Sequence, residues 1–148
     1  MIILLALAGC AFGRIGETLD QCKQRYVYSK KEGVMHRFTK DGFNIVAIFD
    51  ANGKCCYISY GKLDRTKIYP ERWPGVELPE IQLKAFLKAN AAGVEWKEFD
   101  DAANAVVRRV WANRGRGGLI AVLLRNNKLM IQTKAYFDEH VDPDLGGF

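Results

Sequence analysis

The chain has 148 residues, of which 49% are hydrophobic and 26% charged, and a formal net charge of +5. These proportions suit a globular domain with one core of ordinary size. They exclude wholesale disorder, collagen-like repeats, a coiled coil and a multi-span membrane protein. The charge is uneven: residues 14–75 carry 12 basic against 7 acidic side chains, whereas residues 76–148 balance at 10 and 10.

The chain opens with an uninterrupted apolar run from Met1 to Gly9. It is far shorter than the ~20 residues of a membrane helix and has the length of a secretory h-region. Two cleavage readings compete. Ala11-Phe12-Gly13 is a small-x-small site that would release a soluble protein beginning at Arg14. Leu7-Ala8-Gly9-Cys10 resembles the lipobox of bacterial lipoproteins, in which Cys10 would carry lipid. Residues 1–13 are therefore expected to be a signal segment, and the protein is expected to be exported, either soluble or lipid-anchored through Cys10.

Residues 14–60 read as a first unit. Thr18 and Gln21 have the Thr-x-x-Gln spacing of a capping box, and Leu19, Cys22 and Tyr26 follow at helical spacing. Strands are expected at Val34–Lys40, Phe43–Asp50 and Lys54–Tyr60, with Asp41-Gly42 and Asn52-Gly53 as hairpin turns. Residues 61–77 read as an ordered linker holding Tyr69, Pro70, Trp73 and Pro74. A second unit spans residues 78–137. Leu78-Pro79-Glu80 starts a helix that runs to Asn90, and Gly93 stops it. Strands follow at Val94–Phe99, Ala105–Ala112, Leu119–Arg125 and Lys128–Ala135, with Asn126-Asn127 as the last turn. Residues 138–148 read as an acidic, flexible tail.

The two units align. Val34-Met35-His36-Arg37-Phe38 matches Val106-Val107-Arg108-Arg109-Val110, and Ile45–Phe49 matches Ile120–Leu124. The expected fold class is α+β, built as two tandem α-β-β-β units with helices packed on antiparallel sheet. Gly16-x-Thr18-x-x-Gln21 followed by Tyr26 resembles the helix signature of the small outer-membrane assembly lipoproteins, which share the β-lactamase-inhibitor-protein-like fold. The resemblance implies an exported binding or scaffolding protein rather than an enzyme, and it assigns no functional residue. Cys22 stands where Val is usual in that signature, and Val27-Tyr28 replaces the usual Gly and Pro.

Residues 106–134 hold Arg108, Arg109, Arg114, Arg116, Arg125, Lys128 and Lys134 and no acid. Arg108, Arg109, Arg114 and Arg116 are the candidate contacts for a partner or an anion. The Gly-rich stretch Asn113–Gly118 is expected to be an exposed hairpin loop able to cradle phosphate. A solvated sheet face that keeps the protein soluble is the plainer reading of the same charge run.

Catalytic signatures are missing from the sequence. Gly-x-Ser-x-Gly, His-Glu-x-x-His, Cys-x-x-Cys and Gly-rich nucleotide motifs do not occur, so neither a cofactor nor a metal is expected. His140 near Asp138 and Glu139 lacks regular ligand spacing. His36 reads as a polar strand position. In an oxidising compartment Cys22 and Cys56 form the candidate disulfide; the other reading is that Cys22, Cys55 and Cys56 are all buried thiols. The expected function is an exported, non-enzymatic binding or scaffolding module of the bacterial envelope, facing an envelope protein or an anionic surface. The alternatives are a polyanion binder, for anionic lipid or nucleic acid, through residues 106–134, and a small hydrolase using Cys and His.

Export makes a direct prediction. Intact mass of the protein from its native host should show a start at Arg14 or a lipid-modified Cys10, and a lipidated form should stay with the membrane through a salt wash. An unprocessed Met1 would overturn both export readings.

Overall fold

The computed structural model describes residues 14–62, 66, 75–99, 103–115 and 117–140. The expected signal segment with Cys10, the centre of the expected linker around Trp73, Arg116 and the part of the expected tail from residue 141 lie outside the described residues. The fold is α+β, with one eight-stranded antiparallel sheet and three helices among the described residues. No described helix is long and apolar enough to cross a membrane.

Helix α1 spans Leu19–Arg25. Thr18 Oγ1 accepts a hydrogen bond from the Gln21 amide at 3.3 Å, and Gln21 Oε1 accepts one from the Thr18 amide at 2.8 Å. The reciprocal capping box expected from the spacing is therefore formed. Four strands follow: β1 (Val27–Glu32), β2 (Met35–Lys40), β3 (Phe43–Phe49) and β4 (Cys55–Lys62). Helix α2 (Glu80–Asn90) then leads to β5 (Lys97–Phe99), β6 (Val107–Asn113), β7 (Leu119–Leu124) and β8 (Leu129–Thr133), and α3 (Lys134–His140) closes the described chain.

The hairpin turns have the conformations that their residues favour. Asp41 and Gly42 both have positive φ, 50° and 81°, as a two-residue turn matching the twist of its strands requires. Asn127 also lies in the left-handed region, at φ 67°.

Strand order is β1-β2-β3-β4-β8-β7-β6-β5. Each run of four strands starts at an outer edge and ends at the centre. There β4 pairs with β8 through Tyr57↔Gln132, Ile58↔Ile131, Ser59↔Met130 and Tyr60↔Leu129. The main core lies on one face of this sheet. Cys22 and Tyr26 from α1 join Leu83, Phe86 and Leu87 from α2 over Phe38, Phe43, Ile45, Ala47, Ile58, Tyr60, Leu129 and Ile131. Phe86 stacks on Tyr60 at 4.1 Å between ring centroids and meets Phe43 edge-on at 5.3 Å. Asn90, at the end of α2, fastens the chain entry. Its Oδ1 accepts from the Ile15 amide at 2.9 Å, and its Nδ2 donates to Phe86 O at 2.9 Å and to the Tyr60 hydroxyl at 3.5 Å.

Two elements depart from the sequence expectation. The first unit has four strands, because β1 precedes the expected three. Its residues are almost all exposed, so no apolar alternation marks it, and it exists through backbone pairing to β2. Val34, expected to begin a strand, lies in the turn between them. The start of the expected flexible tail is instead the second half of α3, taking in Asp138, Glu139 and His140. Thr133 Oγ1 accepts from the Tyr136 amide at 3.1 Å, Lys134 pairs with Asp138 at 2.6 Å, and the His140 ring stacks on Tyr136 at 4.1 Å. Tyr136 itself packs on Tyr57 of β4 at 5.5 Å.

Thr18→Ala removes the capping oxygen and should lower stability by about 1 kcal/mol. Denaturant titration measures this, and an unchanged midpoint would show that the cap carries no load.

Candidate functional site

The candidate arginines of the basic run are spent mainly within the chain. Arg109 on β6 forms a fork to Glu98 of β5, Nε to Oε1 at 2.6 Å and Nη2 to Oε2 at 2.9 Å. Its Nη1 reaches Glu80 in the first turn of α2 at 2.8 Å, and the guanidinium lies 4.6 Å from the Trp111 ring centroid. The hydrogen bond from Arg109 holds the Glu98 carboxyl below its ordinary value, and the Glu98 bond raises Arg109 in turn. Arg108 pairs with Glu77 at 2.7 Å. Arg125 Nε donates to the Asn104 carbonyl at 2.6 Å. Residues 106–134 contain no acid because their acidic partners stand elsewhere: on the approach to α2, on β5 and on α3.

Arg114 is exposed, as expected, and Arg116 lies outside the described residues. The loop beside them is held by internal bonds. The Gly115 amide donates to Asn113 Oδ1 at 2.8 Å and the Gly118 amide to Gly115 O at 2.7 Å, so two amides that a phosphate cradle would use are engaged. Asn113 Nδ2 in turn donates to the carbonyls of Ala91 and Val94 at 2.9 Å each.

Cys22, Cys55 and Cys56 are free and buried. Cys22 and Cys55 share the main core, whereas Cys56 does not belong to it and feels Asp50 and Glu139 instead. The candidate Cys22–Cys56 bond is therefore not formed, and the alternative reading of three buried thiols describes the arrangement. The irregular register between Ile48 and Phe49 turns Cys55, not Cys56, toward Cys22. Burial pushes the Cys22 thiol up to about 12 and also raises Cys55 and Cys56. Such thiols stay protonated at neutral pH and lend no support to a thiolate nucleophile. His36 is half-buried between the rings of Tyr28 and Phe49, and burial, then Lys31 and Lys23, lower its pKa. His140 Nδ1 lies 3.0 Å from Tyr136 O. No group of three or more His, Cys, Asp or Glu able to hold a metal occurs among the described residues.

The site that stands out is a cleft of about 810 Å³ on the sheet face away from the main core. Alternation along the strands creates it. In β3, Phe43, Ile45 and Ala47 enter the core, while Asn44, Val46 and Ile48 point the other way and line the cleft. Three cross-strand rows form its floor. Lys128, in the β7–β8 turn, continues the β4–β8 register beside Gly61, whose partner is Asn44. The second row runs Lys30, Arg37, Val46, Ser59 and Met130. The third runs Glu32, Met35, Ile48, Tyr57 and Gln132. Tyr136, Phe137 and His140 of α3 form a wall.

Three cations, Lys30, Arg37 and Lys128, face one carboxylate in this cleft. Glu32 is shared between Lys30, at 2.5 Å, and Arg37. Those two bonds hold its carboxyl below the ordinary value, the Lys30 bond foremost. Lys128 pairs with no carboxylate among the described residues. Burial lowers its pKa, and the neighbouring Arg37 charge lowers it further. Sequence reading placed Lys128 in the basic run and Arg37 in the strand alignment. It did not single out either for binding, because nothing local says that they meet.

A half-buried, unpaired lysine costs stability while it is charged. Its folded pKa lies below the ordinary 10.5, so the penalty is complete below that folded value and fades as pH rises from there toward 10.5. Lys128→Met should therefore raise the melting temperature at pH 7, with a smaller gain at alkaline pH. A lower melting temperature at pH 7 would show that the charge is compensated. Comparison of the chain with protein-family models, with curated proteins and with solved structures finds no match, so its function is argued from the chemistry of this cleft.

Proposed function

We propose that the protein is an exported, non-enzymatic binding module of the bacterial cell envelope, and that the cleft on the second sheet face is where it binds. The carrying observation is the cleft itself: polar and charged groups converge on a floor of rigid strands, with apolar and aromatic walls, as in binding sites generally. The apolar Met1–Gly9 run supports export, soluble from Arg14 or anchored through Cys10. The formed Thr18–Gln21 box is consistent with the likeness to the outer-membrane assembly lipoproteins.

The tandem origin belongs to the same proposal. A helix followed by four antiparallel strands occurs twice, and the aligned segments fall on second and third strands in each half. Helix residues from both halves enter one core, which supports two related units sharing a sheet. The polyanion alternative receives less support, because Arg108, Arg109, Arg125 and Lys134 are engaged within the chain. The hydrolase alternative would need a lowered thiol pKa, against the burial of all three described cysteines.

Photocrosslinking tests the site. A benzophenone amino acid at Met35, in the cleft, should give light-dependent adducts in envelope fractions of intact cells. The same group at the exposed Lys84 of α2 should not. Adducts at Lys84 and none at Met35 would move the binding surface to the helix side. Recovery of the protein solely from the cytoplasm would overturn export.

A further inference from the structure

The cleft is graded from one end to the other. Its rows lie about 7 Å apart along the strands. Lys128 stands in the first row and Arg37 in the second, while Met35, Ile48 and Tyr57 occupy the third together with Glu32 and Gln132, beneath Tyr136. Two observations say that the charged end is built for an anion rather than for water alone. Lys128 is half-buried in the floor and pairs with no carboxylate among the described residues. Across the same floor, Arg37 shares the single carboxylate of the cleft, Glu32, with Lys30. Two cations lining one cleft are relieved by a negative group placed between them.

The middle of the third row offers apolar surface, with Met35, Ile48 and Tyr57 standing between Glu32 and Gln132. Methionine fills irregular contacts, and the aromatic wall offers broad faces without charge. The volume of about 810 Å³ lies within the ~300–1,000 Å³ of ordinary small-ligand sites. We propose, resting on the cleft-binding reading above, that the ligand is an amphipathic organic anion. Its acidic head, a carboxylate or phosphate, sits between Arg37 and Lys128, and its aliphatic chain runs along Met35, Ile48 and Tyr57 toward α3. A macromolecular polyanion fits less well, since it would bring repeated charge to a site with one cationic end.

The test titrates the full chain with dodecanoate, dodecyl phosphate, dodecanol and acetate, each below its aggregation threshold. Calorimetry reads affinity, and backbone amide spectra locate the site. Both long-chain anions should bind and perturb β3, β4 and α3, and their ratio tells a carboxylate source from a phosphate source. Dodecanol and acetate should each bind at least about tenfold more weakly, the first lacking the charge and the second the chain. Lys128→Met should weaken dodecanoate by about tenfold and leave dodecanol unchanged, which separates loss of the head contact from loss of fold. Arg37→Lys should recover more of the dodecanoate affinity than Arg37→Met. Equal binding of dodecanol and dodecanoate, or Lys128→Met with unchanged dodecanoate affinity, would overturn the head-group assignment. If no probe binds while Met35 still crosslinks, the ligand class is wrong and the cleft reading stands. Perturbations confined to the α1–α2 side would remove both.

Discussion

The pairing of β4 with β8 is the constraint on which the rest depends. It is the direct strand-to-strand contact between the two four-strand runs, and it turns two narrow sheets into one wide one. A four-strand sheet with a single short helix has little with which to cover its apolar face. Joined at this seam, Ile58 and Tyr60 of the first run and Leu129 and Ile131 of the second fall under the same two helices. The seam also sets the cleft. Arg37 lies on β2 and Lys128 in the β7–β8 turn, and they line one cleft because the register brings Lys128 beside Gly61.

The two faces use the same residue types differently. On the core face, polar side chains each engage several groups: Asn90 bonds Ile15, Phe86 and Tyr60, and Arg109 bonds Glu98 and Glu80. Arg109 is only partly buried, so each ion pair contributes little alone. Its value is geometric, because one planar guanidinium joins β5, β6 and the first turn of α2. On the cleft face the matching is incomplete. Glu32 serves two cations, and Lys128 has no carboxylate among the described residues, so the described face carries a positive excess. This incomplete matching is the feature on which the binding proposal rests.

Cysteine placement follows from a single irregularity. An unbroken β3–β4 register would leave the faces of Cys55 and Cys56 to simple alternation. The shift at Ile48/Phe49 pairs Cys55 with Phe49 and puts it in the core with Cys22. Burial then raises these thiols, which makes them inert fillers of the core.

What the sequence determined by itself is what short-range physics controls. The Thr18–Gln21 box, the Asp41-Gly42 and Asn126-Asn127 turns, the Pro79 helix start and the apolar strands β2, β3, β4, β6, β7 and β8 were all legible, because each depends on residues within a few positions of one another. Tertiary structure alone decided the rest. β1 is an exposed edge strand held by backbone bonds to β2, so its side chains announce nothing. α3 has local supports in Thr133, the Lys134–Asp138 pair and the Tyr136–His140 stack, but its docking on the sheet depends on Tyr57, a partner far away in sequence. The basic run reads as a candidate contact surface because its acids lie outside it in sequence: Glu77 before α2, Glu80 on α2, Glu98 on β5 and Asp138 on α3. The cleft is the extreme case. Its cations come from β1, β2 and the last hairpin turn, and electrostatic coupling depends on distance in space, which the β4–β8 register sets and no local pattern encodes.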